Sequence, residues 1–352
     1  MRYRPIGKTN IKVSEIGFGC WTMGGPNWST ATGQPIGWAE VKFEEVLEGI
    51  KVGLDAGVNH WDNADVYGNG KAERLLADCF QKLGVKRAAQ VIATKVGHFK
   101  GTAPHAFEPA NIKHQCEQSL RNLRTDHIDL YYFHHGTYIG PDYATGLTGK
   151  MHDYLHEAAE TMHGLVKAGK VRAVGQSAYT IEDFERAIPV LRPDVLQTKA
   201  NLRCDDFIRP GTALPALMAK HGCTFVAFGP LDQGILLDKF DPRNPPKFAE
   251  GDYRHNRTDF NTPTLEGIRV KLASAKSRFG IKGTDDEIVA QLSSMASRWV
   301  LAHERVCSAI PGFRNAKQAQ ANIRAASDAP MNDADVTWLR ELFAGEPQPK
   351  WT

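Results

Sequence analysis

Four side chains with complementary proton chemistry, Asp62, Tyr67, Lys95 and His134, carry most of the functional information in this sequence. Each stands at, or just after, the C-terminal end of a short apolar run. Segments with helical spacing separate the runs, which is typical of buried parallel strands. In barrels of such strands, the chemistry collects at the C-terminal ends. A carboxylate, a phenol, an ammonium and an imidazole at those ends predict a site that donates a proton.

The phenol of Tyr67 is the natural proton donor of this set. A free tyrosine has a pKa of ~10 and is a weak acid at neutral pH. We expect the ammonium of Lys95 to lower the pKa of Tyr67, and Asp62 to keep the lysine charged and in place. His134 would orient a substrate oxygen or share the proton. The set suits reduction of a carbonyl, in which a cofactor must supply the hydride because no side chain can donate one.

Short apolar runs alternate with helical patterns along most of the chain. The strand-like runs lie near residues 16–18, 58–61, 91–94, 128–133, 171–175, 195–198, 224–228 and 306–310. Apolar residues recur with helical spacing at 44–50, 72–83, 112–123 and 181–191. Residues 2–4 and 12–14, joined through a turn with Gly7, predict a β-hairpin ahead of the first run. The alternation indicates an α/β protein with a parallel sheet.

Two long segments follow the fourth and the seventh run. Residues 135–150 are rich in glycine, which predicts a loop, and we expect it beside the substrate. Residues 232–264 are rich in proline and polar residues, and loops of this length are usually functional or mobile. We interpret the second segment as a clamp over the cofactor, with a decorative insertion as the alternative.

The composition favours a single-domain protein and argues against nucleic-acid and membrane binding. The 352 residues fit one barrel domain, predicted over 1–352, and 42% hydrophobic residues are ample for a core. A net charge of +3 with dispersed basic residues argues against a nucleic-acid surface. Six scattered cysteines predict reduced thiols. Since no signal peptide and no apolar span of ~20 residues is present, we expect a cytoplasmic protein that does not bind membranes.

Histidines at helical spacing raise the possibility of a metal site. His152, His156, Glu160 and His163 could share one face of a helix. No cysteine joins them, and histidines four residues apart often share only a solvated face. The prediction is therefore that the protein holds no metal.

Five stretches of the chain resemble aldo-keto reductases. They are WDNADVYG at 61–68, VIATK at 91–95, LYYFH at 130–134, GKVRAVGQS at 169–177 and AIPGFR at 309–314. The resemblance runs in order from about residue 3 to about residue 325, at spacings similar to those of the family. It implies a (β/α)8 TIM barrel with the hairpin closing its bottom and long loops at its C-terminal face. It also implies binding of NADP(H) without a Rossmann fold.

The same resemblance implies roles for twelve further residues. The nicotinamide contacts are Ser177, Gln197 and Phe228, the pyrophosphate contacts are Gly229, Leu231 and Gly234, the adenosine contacts are Gly312, Arg314, Gln318 and Asn322, and the substrate contacts are Trp21 and His135. His135 has a second interpretation, as a loop histidine with its hydrogen bonds satisfied. Ala178 replaces the asparagine usual in the family, which removes one hydrogen bond to the carboxamide. Arg314, with no acidic residue between 310 and 322, favours NADPH over NADH.

Tryptophans near the first loop point to a sugar-derived substrate. Trp21, Trp28 and Trp38 could stack on the apolar face of a sugar while histidines bind its hydroxyls. The sequence therefore predicts NADPH-dependent reduction of a sugar-derived aldehyde or ketone, in carbohydrate metabolism. One alternative is NADP-dependent oxidation of a sugar or inositol. Another, from a different class, is a non-catalytic cofactor-sensing subunit, as among channel-associated members of the family.

Overall fold

The computed structural model describes residues 1–29, 32–142 and 150–346. Its strands are β1 (Tyr3–Pro5), β2 (Lys12–Ser14), β3 (Phe18–Gly19), β4 (His60–Asp62), β5 (Val91–Val96), β6 (Ile128–Phe133), β7 (Ile139–Pro141), β8 (Met151–Asp153), β9 (Val171–Ser177), β10 (Val195–Lys199), β11 (Thr224–Phe228) and β12 (Val306–Ile310). Its helices are α1 (Phe43–Asp55), α2 (Lys71–Lys82), α3 (Pro109–Leu123), α4 (Leu155–Lys167), α5 (Ile181–Leu191), α6 (Ala213–His221), α7 (Thr262–Phe279), α8 (Asp285–Leu301), α9 (Ala316–Ser327) and α10 (Asp333–Phe343).

Eight parallel strands form the barrel, in the order β3-β4-β5-β6-β9-β10-β11-β12. Parallel bridges from Ile16 to Ala309 and from Gly19 to Gly312 join its first and last strands. The amide of Gly17 donates to the carbonyl of Ala309 at 3.0 Å, so the ring is closed by backbone hydrogen bonds. Closure leaves the barrel without an open edge. The predicted (β/α)8 barrel is confirmed.

The β1–β2 hairpin closes the bottom of the barrel, as predicted. Its residues Ile6, Ile11 and Val13 are buried in one cluster with Val91 and Val195, which begin β5 and β10. The first residues of parallel strands lie at the N-terminal end of a barrel. The hairpin therefore removes apolar surface from water at the end opposite the predicted site.

Alternation along the strands decides which side chains enter the barrel. In β5, Val91 and Ala93 pack inside the barrel, whereas Ile92 and Val96 pack outward in the clusters that contain the helices. Side chains of a strand alternate between its two faces. Lys95 therefore shares the inner face with Val91 and Ala93, at the upper end of the strand, and this register brings an ammonium group into an apolar interior.

The loops differ from the sequence prediction in two places. Residues 135–150 were predicted as a loop, but they contain β7, which pairs antiparallel with β8 directly after this segment. Residues 143–149 lie outside the described residues. The segment that begins at Asp232 contains two 3-10 turns, and α7 begins at Thr262, slightly earlier than predicted. Within the described ranges, no helix combines the length and the apolar character needed to cross a membrane.

Glycine at position 175 makes room for a large side chain inside the barrel. A Cβ atom added to Gly175 would lie 2.3 Å from Cδ1 of Tyr132, its partner on β6. Gly175→Ala should therefore lower the free energy of unfolding by about 1–3 kcal/mol, because the packed side chains inside the barrel cannot move aside for the added methyl group. Urea unfolding of the variant and the wild type measures the difference.

A second glycine is the matched control. Gly164 lies in α4, is exposed, and has no heavy atom within 4 Å of an added Cβ. Gly164→Ala should stabilise the protein by roughly 0.5–1 kcal/mol, since alanine favours the helix. A Gly175→Ala protein as stable as the wild type would contradict the packing argument.

Candidate active site

The four residues predicted to carry the chemistry lie together at the C-terminal ends of three adjacent strands. Asp62 ends β4, Lys95 is the fifth residue of β5, and His134 directly follows β6. Tyr67 lies in the turn between β4 and α2. The ends of neighbouring parallel strands meet at one edge, so barrel topology alone brings these distant residues together.

The ammonium of Lys95 is the centre of the site. It donates hydrogen bonds to Oδ2 of Asp62 at 2.7 Å, to the carbonyl of Asn63 at 2.7 Å and to Oη of Tyr67 at 3.1 Å. A lysine ammonium has three protons and no acceptor, so these contacts use all three. The Tyr67 oxygen is therefore an acceptor toward Lys95, and its own proton must point elsewhere.

Asp62 is held from both sides. Its Oδ1 accepts a hydrogen bond from Nε2 of Gln197 at 2.7 Å, and Oε1 of Gln197 accepts from the hydroxyl of Ser177 at 3.1 Å. Asp62 and Lys95 are both almost completely buried. A continuous line of hydrogen bonds thus connects Tyr67, through Lys95 and Asp62, to two residues predicted to hold the nicotinamide.

The pKa of Tyr67 shifts in the direction opposite to the sequence prediction. Burial raises the pKa of Tyr67 well above its usual value, and the carboxylate of Asp62 raises it further. The side chain is partly exposed to a cavity, but protein surrounds it closely enough for burial to outweigh the nearby Lys95. The expectation that Lys95 lowers the pKa of Tyr67 is therefore wrong for the site as it stands here, and Tyr67 keeps its proton at neutral pH.

His134 is neutral in this environment. Burial lowers the pKa of His134 well below its usual value, and His98 and Lys95 lower it further. Its ring meets that of Tyr67 edge to face, with centroids 5.9 Å apart. Its Nδ1 is buried and makes no hydrogen bond to any residue in the described ranges. A neutral imidazole here can accept or donate a hydrogen bond at a ligand oxygen.

A cavity of about 1720 Å³ extends from this site over the ends of β9–β12 to the first turns of α8 and α9. All ten residues predicted as cofactor contacts line it: Ser177, Gln197, Phe228, Gly229, Leu231, Gly234, Gly312, Arg314, Gln318 and Asn322. Tyr67, His134 and Trp21 line the same cavity. One continuous space therefore joins Tyr67 to the predicted cofactor residues.

Aromatic rings form one wall near Tyr67. Trp21 lies nearly parallel to the ring of Tyr67, with centroids 6.1 Å apart. Trp38 and Tyr253 contact Trp21, with centroids at 5.3 and 5.4 Å. Trp28, predicted with these residues, is largely exposed. The wall offers flat apolar faces to a ligand beside the hydroxyl of Tyr67.

The structure places His135 behind the cavity and His98 in it. Nε2 of His135 donates to the carbonyl of Gly97 at 2.6 Å, and its Nδ1 accepts from the amide of Thr137 at 3.1 Å. Both ring nitrogens are therefore used within the protein, which fits the second interpretation of this residue. His98 lines the cavity instead. The sequence signal was available, because His98 follows the lysine strand after a single glycine.

Two basic residues without an assigned role in the sequence analysis lie in the cavity near Arg314. Lys239 and Arg254 line the cavity together with Arg314. Burial lowers the pKa of Lys239 to about 8, and the nearby cations of Arg254 and Arg314 contribute. Arg254 is paired with Asp252 at 2.7 Å and lies between the rings of Trp38 and Phe248. Lysines and arginines concentrated in this way favour an anionic ligand.

The histidines considered as metal ligands do not converge. His152 contacts Glu157 at 3.0 Å, whereas His163 donates to the carbonyl of Leu191 at 2.9 Å. In the part of the chain that the structure describes, no group of three or more histidine, cysteine, aspartate or glutamate side chains could hold a metal ion.

Comparison with known proteins shows which proteins share this sequence pattern and this fold. The sequence model of the Aldo/keto reductase family matches residues 15–343. An aldo-keto reductase of Schizosaccharomyces pombe, whose name specifies NADP(+), is 27% identical and covers 96% of this chain and 90% of its own. A probable voltage-gated potassium channel subunit beta of Arabidopsis thaliana is 24% identical, covering 94% and 93%. The solved glycerol dehydrogenase of Gluconobacter oxydans has the same fold, with a TM-score of 0.74 at 24% identity, covering 99% and 98%.

The buried pair of Lys95 and Asp62 should also determine stability. Lys95→Met leaves the carboxylate of Asp62 buried without its cation, so the free energy of unfolding should fall by about 3–5 kcal/mol. Lys51→Met, which removes an exposed pair with Asp55 on α1, should cost less than about 1 kcal/mol. Urea unfolding compares the two variants, and equal losses would contradict the role given to the buried pair.

Proposed function

The chain belongs to the aldo/keto reductase family and is an oxidoreductase, and we propose that it reduces a carbonyl of a sugar-derived substrate with NADPH. Tyr67 is the proton donor in this proposal. The observation that carries it is the third hydrogen bond of Lys95, which makes the Tyr67 oxygen an acceptor and frees its proton for a ligand in the cavity.

The chain's own residues support each requirement of carbonyl reduction. Tyr67 transfers its proton to the carbonyl oxygen, and the ammonium of Lys95 at 3.1 Å stabilises the phenolate that remains. Asp62 and the carbonyl of Asn63 hold that ammonium still. The neutral ring of His134 orients the oxygen. When bound, the cofactor supplies hydride to the carbonyl carbon.

The residues of the cavity fit an NADP cofactor. Ser177 and Gln197 offer a hydroxyl and an amide to the carboxamide, and Phe228 offers a ring face. Gly229, Leu231 and Gly234 line the middle of the cavity, where a pyrophosphate would meet the cation of Lys239. That cation has no carboxylate partner among the described residues, although burial makes its charge costly. A phosphate bound beside Lys239 would compensate the free-energy cost of burying its charge.

Arg314 is the residue that we expect to favour NADPH. Its guanidinium lines the cavity and makes no ion pair with a carboxylate in the described ranges. The neighbouring Lys317 is already paired with Asp286 at 2.6 Å. An arginine can bind a phosphate through two hydrogen bonds. The relative whose name specifies NADP(+) agrees with this choice.

A sugar-derived substrate accounts for the lining around Tyr67. The aromatic wall of Trp21, Trp38 and Tyr253 suits the apolar face of a carbon chain or ring, while His134 suits an oxygen. The neighbour named as a glycerol dehydrogenase acts on a polyol. The same contacts serve the reverse reaction, oxidation of a sugar or inositol, since proton and hydride transfers are reversible.

A cofactor-sensing subunit is the candidate from another class, and the potassium channel subunit among the relatives favours it. The two functions differ in turnover. A sensor binds NADPH without reducing any carbonyl compound, whereas the proposed enzyme reduces sugar-derived aldehydes. The complete connection from Tyr67 through Lys95 to Asp62 supports the enzyme.

Replacement of the proton donor tests the mechanism. Tyr67→Phe should lower turnover by roughly 10²–10⁴-fold, the usual value of general acid catalysis, and should leave NADPH affinity unchanged. Tyr131→Phe is the control, because the hydroxyl of Tyr131 is buried with no hydrogen-bond partner in the described ranges and does not line the cavity. Stopped-flow oxidation of NADPH measures both. Wild-type turnover in Tyr67→Phe would assign the proton to another group.

Replacement of Arg314 tests the cofactor preference. Arg314→Ala should weaken NADPH binding by about 10–100-fold, equivalent to about 1.5–3 kcal/mol, and leave NADH binding nearly unchanged. Lys317→Ala should have a smaller effect, since Asp286 already neutralises Lys317. Calorimetry with both cofactors measures these affinities. Equal wild-type affinities for NADH and NADPH would refute the preference.

A further inference from the structure

His98 stands on a backbone that only glycine supports. Gly97 has a φ of 150°, and a Cβ atom there would lie 3.0 Å from the ring of Phe107 and 3.1 Å from the ring of His135. The same His135 ring donates to the carbonyl of Gly97 at 2.6 Å. The peptide that precedes His98 is therefore fixed from two sides, and the chain turns at the end of β5 so that His98 enters the cavity.

Three rings follow one another along the cavity. The ring of Tyr67 meets that of His134 edge to face at 5.9 Å, and the ring of His134 meets that of His98 edge to face at 4.6 Å. A carbonyl oxygen bound at Tyr67 and His134 thus has His98 as the next polar side chain in this direction. A second oxygen on the same carbon chain, one or two carbons from the carbonyl carbon, would lie close enough to His98 to form a hydrogen bond.

The ring of His98 is free to bind such an oxygen. Neither of its nitrogens makes a hydrogen bond to a residue that the structure describes, and more than a third of the residue's surface is exposed. His135, by contrast, uses both of its nitrogens within the protein. The pKa of His98 is lowered to about 4 by its crowded surroundings, with His135 and Lys95 contributing. The ring therefore offers one donor and one acceptor at neutral pH.

We propose that His98 binds a hydroxyl group beside the reacting carbonyl and so selects hydroxyaldehydes and hydroxyketones over plain carbonyl compounds. A hydroxyl donates and accepts one hydrogen bond each, which matches a neutral imidazole. A phosphate or carboxylate on the substrate would need a free cation. Among the described residues, the ammonium of Lys95 has all three protons in hydrogen bonds, and Arg254, which contacts Trp38, is paired with Asp252. The inference rests on the proposed reduction and names its substrate class.

Two aldehydes of equal length test the proposal. Glyceraldehyde differs from propanal only by its hydroxyls. The wild-type protein should prefer glyceraldehyde in kcat/KM, and His98→Leu should lower that preference by about 3- to 10-fold, the value of one neutral hydrogen bond. The kcat/KM for propanal should stay within about twofold. His98→Gln, which retains a donor and an acceptor, should keep most of the preference.

The controls separate this inference from the function on which it rests. His114→Leu removes an exposed histidine of α3 and should change neither substrate. His98→Ala replaces His98→Leu if the leucine protein does not fold, as judged by thermal unfolding. An unchanged preference in the His98 variants overturns the role of His98 while carbonyl reduction stands. A preference lost equally in the leucine and glutamine variants also overturns it. A wild-type protein that reduces neither aldehyde overturns both proposals.

Discussion

The hydrogen bonds of one buried ammonium determine the rest of this site. Lys95 lies inside the barrel with Asp62 as its counter-ion, and a lysine in such a place is costly unless every proton has an acceptor. The three acceptors come from β4 and from the turn after it, so the site requires β4 and β5 to be neighbours in one register. The hairpin below and the closure of β3 on β12 keep that register.

The raised pKa of Tyr67 agrees with a proton donor whose charge changes only during reaction. Burial and Asp62 oppose a resting phenolate, so the proton stays on oxygen until a ligand oxygen of higher basicity is present. In the proposed reduction, an alkoxide formed by hydride addition would be such a base. The ammonium at 3.1 Å would then face a phenolate rather than a phenol, and their attraction would be strongest at that stage. Lys95 would thus stabilise the phenolate that forms during the reaction.

The sequence alone predicted the features that depend on the spacing of apolar residues and on the order of the strands. The short apolar runs and their order placed Asp62, Lys95 and His134 at the C-terminal ends of parallel strands. The hairpin of β7 and β8 was missed because glycines at 136, 140, 146 and 149 resemble a loop, whereas backbone pairing depends on the partner strand. His98 was missed because the φ of 150° at Gly97 interrupts the alternation of β5. Lys239 and Arg254 lie in the long segment after β11, where no period predicts the direction of a side chain.

Charged side chains are distributed unevenly along the cavity. Near Tyr67, the ammonium of Lys95 is fully bonded, and His98 and His134 are neutral at physiological pH because burial lowers their pKa values. Farther along the cavity, Lys239 and Arg314 line it as cations without carboxylate partners among the described residues. An anionic cofactor and an uncharged polyhydroxylated substrate would therefore be separated by electrostatics as well as by shape. The pairing of Lys317 with Asp286 reduces the positive charge beside Arg314, so in the proposed complex Arg314 would carry most of the preference for a 2′-phosphate.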